Sequence, residues 1–565
     1  MAKVISIGNQ SFESIREKDN FYIDKTNFIR EWWDNDDTVT LITRPRRFGK
    51  TLNMSMLECF FSNKYKDRGD LFEGLEIWND EKYRKLQGTY PVIFLSFAEI
   101  KQNNYNDAVE KIKRIVCEVC QQFEFLKNWD GLTEIEKKNI SNISYNMSDV
   151  MAQDLIKNMS NYLSRYYGKK VIILLDEYDT PMQEAYVNGY WEELVAFTRS
   201  LFNSTFKTNP YLERAIMTGI TRVSKESIFS DLNNLKVITV TSDEYSKCFG
   251  FTEDEVFAAL DEQGLSSEKE KVKLWYDGFT FGDEKDVYNP WSIINYLKFK
   301  KYETYWADSS SNRLVNELIR TGSAEIKNTM ETLIAGGTVE KNIDEQIVFE
   351  QLKTNKDAVW SLLLASGYLR VETFRTEGRL NKKIYSLKLT NYEVEQMFGT
   401  MIERWFGGAD VPYNEFINAM LNGDIESMNE YMNRVTRGVI SYFDTGKTPS
   451  DEEPERFYHG LVLGLMVEQV DNYILNSNRE SGYGRYDIML EPIDKTNEKY
   501  PGIVIEFKVI NPRKENTLEE TVAAALKQIE EKNYDAELIK RGVKEENIHH
   551  YGFAFRGKEV LIDGR

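Results

Sequence analysis

A short polar segment at residues 44–51 has the composition of a phosphate-binding loop. It reads Arg-Pro-Arg-Arg-Phe-Gly-Lys-Thr, follows an apolar run and opens a helical pattern. Backbone N–H groups at a helix N-terminus attract phosphate, a lysine reaches the β- and γ-phosphate oxygens, and a hydroxyl coordinates Mg²⁺. Gly49, Lys50 and Thr51 supply these groups. The segment therefore predicts a Walker A loop that binds ATP or GTP with Mg²⁺.

Three arginines distinguish this loop from the usual glycine-rich pattern. Arg44 occupies the position where a first glycine is usual, and Arg46 and Arg47 lie inside the loop. Guanidinium groups form strong charge-assisted hydrogen bonds with phosphate oxygens. We therefore expect all three to support nucleotide binding, by contacting phosphate or a nearby acidic group.

Two further apolar runs end in residues suited to nucleotide hydrolysis. VIILLDE ends at Asp176 and Glu177, and ERAIMTG carries Thr218, with Arg222 shortly after it. Asp176 could hold Mg²⁺ and its water, and Glu177 could polarise the attacking water. Thr218 could sense the γ-phosphate, and Arg222 could stabilise transition-state charge.

A second group of charged residues lies near the C-terminal end of the chain. Asp487 precedes the letters IML, and the run GIVIEFKV carries Glu506 and Lys508 two positions apart. Because side chains alternate along a strand, Glu506 and Lys508 share one face, which Asp487 on a neighbouring strand can reach. Two carboxylates suit Mg²⁺ or Mn²⁺, and the lysine can orient water or stabilise phosphate charge. The pattern predicts metal-dependent phosphodiester cleavage, with Glu468 on an upstream apolar helix as a further metal ligand.

The elements that position these groups are expected to form an α/β protein. Apolar runs alternate with helical patterns between residues 38 and 219, which predicts βαβ units and a parallel P-loop NTPase sheet. Amphipathic helical patterns after residue 248 predict a helical lid. Residues 358–374 and 382–391 read as helix, strand, turn and strand, which fits a winged helix or a generic α+β connector equally well.

Four N-terminal segments together resemble a known family. They read YIDKTNFI, LITRPRRFGKTLNMSML, VIILLDEYDTPM and RAIMTGITRVSKESIFSDLNNL. Over roughly residues 3–240 they are similar to the AAA-ATPase-like family, whose loop also reads RPRRFGKT. The resemblance implies that Arg44 is a family trait and that ATP is the nucleotide.

The C-terminal segments resemble the PD-(D/E)XK nuclease-like domain that often accompanies this ATPase family. They read FYHGLVLGL, NRESGYGRYDIML, IVIEFKV and ALKQIEEKNY, and in them Gln528 and Tyr534 resemble the Gln…Tyr pair of some DNA-processing members. The resemblance implies a restriction-endonuclease-like α/β domain. The expected divisions are an ATPase core at 1–248, the lid at 249–330, a winged-helix-like and helical connector at 331–450, and the nuclease-like domain at 451–565.

The composition limits how such a protein could bind nucleic acid or a membrane. The net charge of −19 argues against coating nucleic acid by bulk attraction, so contacts with nucleic acid, expected to be DNA, would use local patches. No run approaches the about 18 apolar residues that span a bilayer, and the start lacks a secretory signal pattern. We expect a cytoplasmic protein without a membrane partner, and a homo-oligomer is compatible with the sequence.

Two functional interpretations fit these features, and the intact charged residues at both sites argue against a third, a binding protein without catalytic activity. In the first, the protein is an ATP-regulated nuclease, in which nucleotide binding or hydrolysis controls the C-terminal domain. In the second, it is a STAND-like signalling or defence switch, whose ATPase holds an inhibited state until a trigger arrives. ATP turnover by the purified protein without a trigger would favour the first.

Overall fold

A computed structural model describes two compact units. The described residues are 3–222, 229, 232–307, 315, 318–319, 324–334, 336–344, 357–378, 382–406, 413–439, 472–477, 480–481, 484–510, 515–556 and 559–565. Unit 1 comprises Met1–Ser311 and Glu340–Val394, and unit 2 comprises Asn312–Val339 and Glu395–Arg565. Both units therefore draw on two separate stretches of chain, a division that differs from the four consecutive domains expected from the sequence.

A five-stranded parallel sheet organises unit 1. Its strands are β1 (Val39–Thr43), β2 (Val92–Ser96), β3 (Val171–Asp176), β4 (Leu212–Gly219) and β5 (Leu235–Ile238), in the order β2-β3-β4-β1-β5. The register pairs Ser96 with Asp176 and Thr43 with Gly219, so the carboxyl ends of four strands meet at one edge. Ligands of open parallel sheets bind at this edge. The predicted parallel sheet is confirmed.

Helices cover this sheet because its strands carry apolar side chains on both faces. β1 and β3 are buried along their whole length. The helices before residue 210 are Phe12–Glu17, Asn27–Asn35, Lys50–Phe61, Glu81–Arg84, Tyr105–Gln121, Glu134–Ser141, Asp149–Tyr167, Thr180–Asn188 and Trp191–Phe202. Side-chain caps define several of their starts; Ser148, for example, accepts from the Met151 N–H.

The segment after residue 248 is mainly helical, as we predicted, and also contains strands that we did not predict. It holds the helices Glu253–Glu262, Lys269–Tyr276 and Pro290–Phe299, but also a small antiparallel sheet. Its strands are β6 (Phe251–Thr252), β7 (Phe279–Phe281) and β8 (Glu284–Tyr288), in the order β6-β8-β7. Strands of two to five residues are too short to give a recognisable sequence pattern beside the strong helical periodicity around them.

The predicted succession of helix, strand, turn and strand is present in the second stretch of unit 1. It consists of helix Ala358–Ala365, β10 (Leu369–Glu377) and β11 (Lys382–Leu389), with β9 (Val339–Asn342) on the other side of β11. β10 and β11 pair antiparallel. Helices Ala324–Ile334 and Tyr392–Phe406 lie before and after these strands in the chain.

A mixed five-stranded sheet organises unit 2. Its strands are β12 (Tyr473–Ser477), β15 (Ile488–Pro492), β16 (Gly502–Val509), β17 (Ile548–Arg556) and β18 (Glu559–Gly564), in the order β12-β15-β16-β17-β18. β16 and β17 are parallel and the other pairs antiparallel. A separate ribbon joins β13 (Glu480–Ser481) to β14 (Gly484–Arg485). Helices Leu518–Lys532 and Ala536–Lys540 follow β16. The α/β class expected for the C-terminal region is confirmed.

This unit begins before the boundary that we expected at residue 451. Helices Tyr413–Asn422 and Ile425–Val439 bury Phe416, Met420 and Met428 in the same core as the sheet. Asn429 also exchanges two hydrogen bonds with the Ile562 main chain, at 2.6 and 2.7 Å. Side-chain amides on a helix thereby satisfy the outer edge of β18, which would otherwise be open to pairing.

The described part of the chain contains no helix with the length and apolar character required to cross a membrane.

Candidate functional sites

Loop 44–51 connects β1 to helix Lys50–Phe61, as predicted. Gly49 caps this helix with φ of +79°, and Arg47 has φ of +64°. These two left-handed residues curl the backbone so that the loop wraps around the helix N-terminus. A Cβ on Gly49 would meet no atom within 4 Å, so its backbone conformation and not crowding calls for glycine.

Lys50 lies inside the curl of the loop. Its Nζ donates to the carbonyl oxygens of Arg44 at 3.0 Å and Pro45 at 2.9 Å, and the residue is 4% exposed. Burial lowers the pKa of Lys50, while the nearby carboxylates of Glu177 and Asp176 oppose that shift. The ammonium group therefore rests on loop carbonyls at the helix N-terminus, where a phosphate would have to compete for it.

Asp176 connects the loop to the ends of two strands. Its two oxygens accept hydroxyl hydrogen bonds from Thr51, at 2.7 Å, and from Thr218. The carboxyl is fully buried, and burial raises its pKa, while both hydroxyl contacts lower it. The structure thus brings together three predicted residues that are far apart in the chain. A hydroxyl next to a carboxylate is a hard-oxygen donor set that fits Mg²⁺.

Glu177 begins the turn that follows β3. It has φ of +54°, and its Oε2 accepts from the Thr180 hydroxyl at 2.9 Å. A non-glycine residue in this conformation is uncommon and carries a small strain, which is typical of functional turns. Thr180 was not among the residues singled out from the sequence.

The side chain of Arg44 lies away from the curl that holds Lys50. It is fully buried, and its Nη1 donates to the carbonyls of Thr43 at 2.9 Å and Thr239 at 2.7 Å. Its Cζ lies 4.5 Å from the Phe281 ring centroid, and burial lowers its pKa to about 10. The guanidinium therefore supports the loop from behind, and its expected contribution to nucleotide binding stays a prediction.

Arg46 and Arg47 remain closer to the surface of the loop. Arg46 reaches Gln183 at 3.5 Å, and the carbonyl of Arg46 accepts from Trp306 at 3.0 Å. The Arg47 guanidinium stacks 4.1 Å from the Trp291 ring centroid. Trp291 and Trp306 belong to the stretch that we predicted as lid, so this stretch holds the outer side of the loop.

A buried carboxylate that the sequence analysis did not single out lies beside the end of β4. Asp179 is fully buried and accepts from the N–H groups of Ile220, at 3.0 Å, and Thr221, at 2.8 Å. Burial raises its pKa, which these hydrogen bonds partly offset. Arg222 follows directly, and its Nε is buried without a hydrogen-bond partner in the described structure. The motif DEYD, with a second aspartate three positions after the first, was the available signal for Asp179.

The second site lies in unit 2, where β15 pairs antiparallel with β16. Asp487 directly precedes β15, and its Oδ2 accepts from the Phe507 N–H on β16 at 2.8 Å. Burial raises the pKa of Asp487, and the Lys508 charge opposes that shift. Glu506 and Lys508 flank Phe507 on β16. The three predicted residues are thus brought together at one place on the sheet.

Gln528 joins the two charged residues of β16. Its Oε1 accepts from Lys508 Nζ at 2.7 Å, and its Nε2 donates to Glu506 Oε1 and, at 3.2 Å, to the Tyr534 hydroxyl. Ile505 and Phe507 point instead into the core that contains the helices at 413–439, as period 2 predicts. Helix Leu518–Lys532 therefore holds Gln528 over the face that carries Glu506 and Lys508.

Some predicted features fall outside this description. Glu468 is not among the described residues, so its role as a metal ligand stays a prediction. Within the described ranges, no group of three or more His, Cys, Asp or Glu side chains is arranged to hold a metal ion. Asp487 and Glu506 supply two carboxylates, a hard-oxygen pair suited to Mg²⁺ or Mn²⁺ whose remaining ligands would come from water and substrate.

Comparisons with known proteins identify two family models along the chain. Residues 6–229 match the family model described as predicted AAA-ATPase, and residues 453–564 match the model of the PD-(D/E)XK nuclease superfamily. The chain therefore combines a predicted AAA-ATPase domain with a PD-(D/E)XK nuclease superfamily domain. It is 25% identical over 396 residues to an Azotobacter chroococcum mcd 1 protein described as "Uncharacterized protein in vnfD 5'region". That similarity covers 70% of this chain and 68% of the relative.

Proposed function

We propose that this protein hydrolyses ATP in unit 1 and cleaves nucleic acid, with DNA as the expected substrate, in unit 2. The observation that supports the proposal is the same in both units. Side chains distant in sequence converge as Thr51, Asp176 and Thr218 in one unit, and as Asp487, Glu506 and Lys508 in the other. Burying carboxylates is costly, so such groupings are retained where their charge has a use.

In the ATPase unit each residue has a distinct task. Lys50 exchanges its carbonyl partners for the β- and γ-phosphate oxygens, and Thr51 and Asp176 hold Mg²⁺, which offsets phosphate charge when bound. Glu177 orients the attacking water and accepts its proton. Thr218, which already contacts Asp176, fixes that carboxylate and would present its hydroxyl to the γ-phosphate.

In the nuclease unit Asp487 and Glu506 hold Mg²⁺ or Mn²⁺, which supplies an activated water and neutralises phosphate charge when bound. Lys508 stabilises charge on the phosphate that is cleaved. Gln528 keeps the Lys508 ammonium beside Glu506, so that the cation and the anion are presented together.

The test is a cleavage assay on the purified full chain. Single- and double-stranded DNA and RNA are each incubated with Mg²⁺ or Mn²⁺, with and without ATP, and ATP turnover is measured in parallel. The proposal expects metal-dependent strand cleavage and measurable ATP hydrolysis. Loss of cleavage in Asp487→Ala, with ATP hydrolysis unchanged, would assign it to unit 2. Absence of cleavage on all four substrates would remove the nuclease assignment, and absence of ATP turnover would remove the hydrolase assignment.

A further inference from the structure

The turn after β3 fastens the end of β4 by several hydrogen bonds. Asp176 accepts from the Thr218 hydroxyl, and the Tyr178 N–H donates to the Thr218 carbonyl at 2.9 Å. The Tyr178 hydroxyl donates to the Thr221 carbonyl at 2.8 Å. Asp179 then holds the N–H groups of the next two residues. Two carbonyls and two N–H groups of residues 218–221 are thus hydrogen-bonded to the acidic turn.

Asp179 contributes the largest part of this attachment. Its Oδ2 accepts the two N–H groups and also the Thr221 hydroxyl at 2.9 Å, whereas its Oδ1 is buried and accepts no hydrogen bond in the described structure. The space around Oδ1 is tight, since a Cβ on Gly219 would lie 2.6 Å from it. A fully buried carboxyl oxygen without a hydrogen bond costs free energy, so packing alone does not account for an acid here.

A polar connection also leads from Asp179 to the phosphate loop. Gln183 Nε2 donates to Asp179 Oδ2 at 3.1 Å, and Gln183 Oε1 accepts from Arg46 at a longer 3.5 Å. Arg46 lies in the middle of loop 44–51. A change in the position of Arg46 on phosphate binding would therefore alter the hydrogen bonding of Gln183 and, through it, of Asp179.

On its other side, Asp179 is connected through Thr221 to Arg222. Arg222 follows Thr221, whose N–H, hydroxyl and carbonyl are all held by Asp179 or Tyr178. The buried Nε of Arg222 has no hydrogen-bond partner in the described structure. Guanidinium groups form charge-assisted hydrogen bonds with phosphate oxygens, so a bound nucleotide would supply a partner for this group.

We propose that Asp179 is a positioning residue for ATP hydrolysis. It fixes residues 220–222 so that Arg222 meets the γ-phosphate. Gln183 transmits changes in the position of Arg46 to Asp179. The inference rests on the ATPase function proposed above. It predicts that Asp179 acts through Arg222 and has no direct contact with the nucleotide.

The test compares Asp179→Asn, Arg222→Ala, the double variant and Gln183→Leu. Asparagine keeps the shape and one acceptor oxygen, so the fold should be retained, which thermal melting checks. Glu184→Gln, a neighbour on the same helix whose contact is with Asn188, is the matched control. For each protein, kcat, KM and the affinities for ATP and ADP are measured.

Asp179→Asn should lower kcat by about tenfold to a hundredfold and leave ADP affinity unchanged, because misplaced catalytic groups affect the transition state most. It should also reduce the preference for ATP over ADP, and the double variant should be no slower than Arg222→Ala alone. Gln183→Leu should shift both quantities in the same direction, and Glu184→Gln should shift neither.

Two outcomes would overturn the inference and leave the ATPase function intact: unchanged kcat in Asp179→Asn, or effects of Asp179→Asn and Arg222→Ala that multiply. A wild-type protein that binds ATP without hydrolysing it would instead refute the proposed hydrolysis. The preference for ATP over ADP would then decide the inference, and it fails if Asp179→Asn retains that preference in full.

Discussion

The ammonium group of Lys50 donates to the main-chain carbonyl of Arg44 at 3.0 Å, across the curl of the phosphate loop. A nucleotide must draw this ammonium group away from neutral carbonyls, which charged phosphate oxygens can do. Lys50→Ala should therefore abolish tight ATP binding, measured by isothermal titration calorimetry. Lys66→Ala, an exposed lysine outside the site, should bind ATP as the wild type does.

Glu177→Gln is the comparison that separates binding from hydrolysis. It removes the group that would accept a proton from water and keeps the side-chain shape, so ATP affinity should persist and turnover should be lost. Equal ATPase rates in wild type and Glu177→Gln would remove Glu177 from the mechanism.

The three loop arginines should behave differently from one another. Arg44→Met leaves the Thr43 and Thr239 carbonyls without their buried donor, so we expect a loss of roughly 2 to 4 kcal/mol in the free energy of unfolding. Arg46→Ala and Arg47→Ala should leave stability nearly unchanged, and Arg46→Ala should weaken ATP binding. Urea denaturation and ATP titration of the three variants test this order, and an Arg44→Met protein as stable as the wild type would contradict it.

Asp277 should make the stability of unit 1 depend on pH. Burial and the neighbouring Asp286 carboxylate raise the pKa of Asp277 to about 7 from an ordinary value of 3.8, with Lys273 opposing the shift and Glu253 adding to it. The folded protein therefore binds a proton between these two pH values that the unfolded chain releases, so stability falls as pH rises from about 4 through 7. Asp277→Asn should flatten this part of the melting-temperature profile. A wild-type profile that rises from pH 5 to 8, or one that Asp277→Asn does not change, would contradict the assignment.

The nuclease-like site should show metal-dependent stability. Mn²⁺ or Mg²⁺ without nucleotide should raise the melting temperature of unit 2 by mass action, measured by calorimetry on the full chain. Asp487→Ala and Glu506→Ala should lose both this shift and cleavage, whereas Lys508→Ala should keep the shift and lose cleavage, because lysine is not a ligand. Glu531→Gln, exposed on helix Leu518–Lys532, is the matched charge control. A purely structural ion cluster predicts instead that all three variants lose stability and that no protein responds to metal.

That experiment needs the full chain, because a domain that starts at residue 451 would lack two helices of its own core. The alternation of side chains along β16 predicted that Glu506 and Lys508 lie on one face of the strand. The pairing of β15 with β16 places Asp487 beside them. The sequence boundary at residue 451, set by a proline-containing polar stretch, placed helices Tyr413–Asn422 and Ile425–Val439 outside the domain whose core they complete. Local composition does not reveal a tertiary contact such as that of Asn429 with β18.

The same limit of sequence-based prediction applies to loop 44–51. Its position between β1 and a helix followed from the sequence, because the apolar run and the Gly-Lys-Thr signal are local. The orientation of Arg44 did not, since it depends on the Thr239 carbonyl and the Phe281 ring, which come from distant segments. The sequence did not identify Asp179 as a site residue, because its partners, Ile220 and Thr221, lie some forty residues downstream.

Coupling between ATP and strand cleavage is tested most directly by measuring cleavage by wild type, Lys50→Ala and Asp487→Ala. Each protein is assayed with and without ATP in the presence of Mg²⁺. If the ATPase controls the nuclease, ATP should change the wild-type cleavage rate, and Lys50→Ala should cleave at the nucleotide-free rate under both conditions. Asp487→Ala should hydrolyse ATP and cleave nothing. A wild-type cleavage rate that is independent of ATP and equal to that of Lys50→Ala would contradict coupling between the two domains.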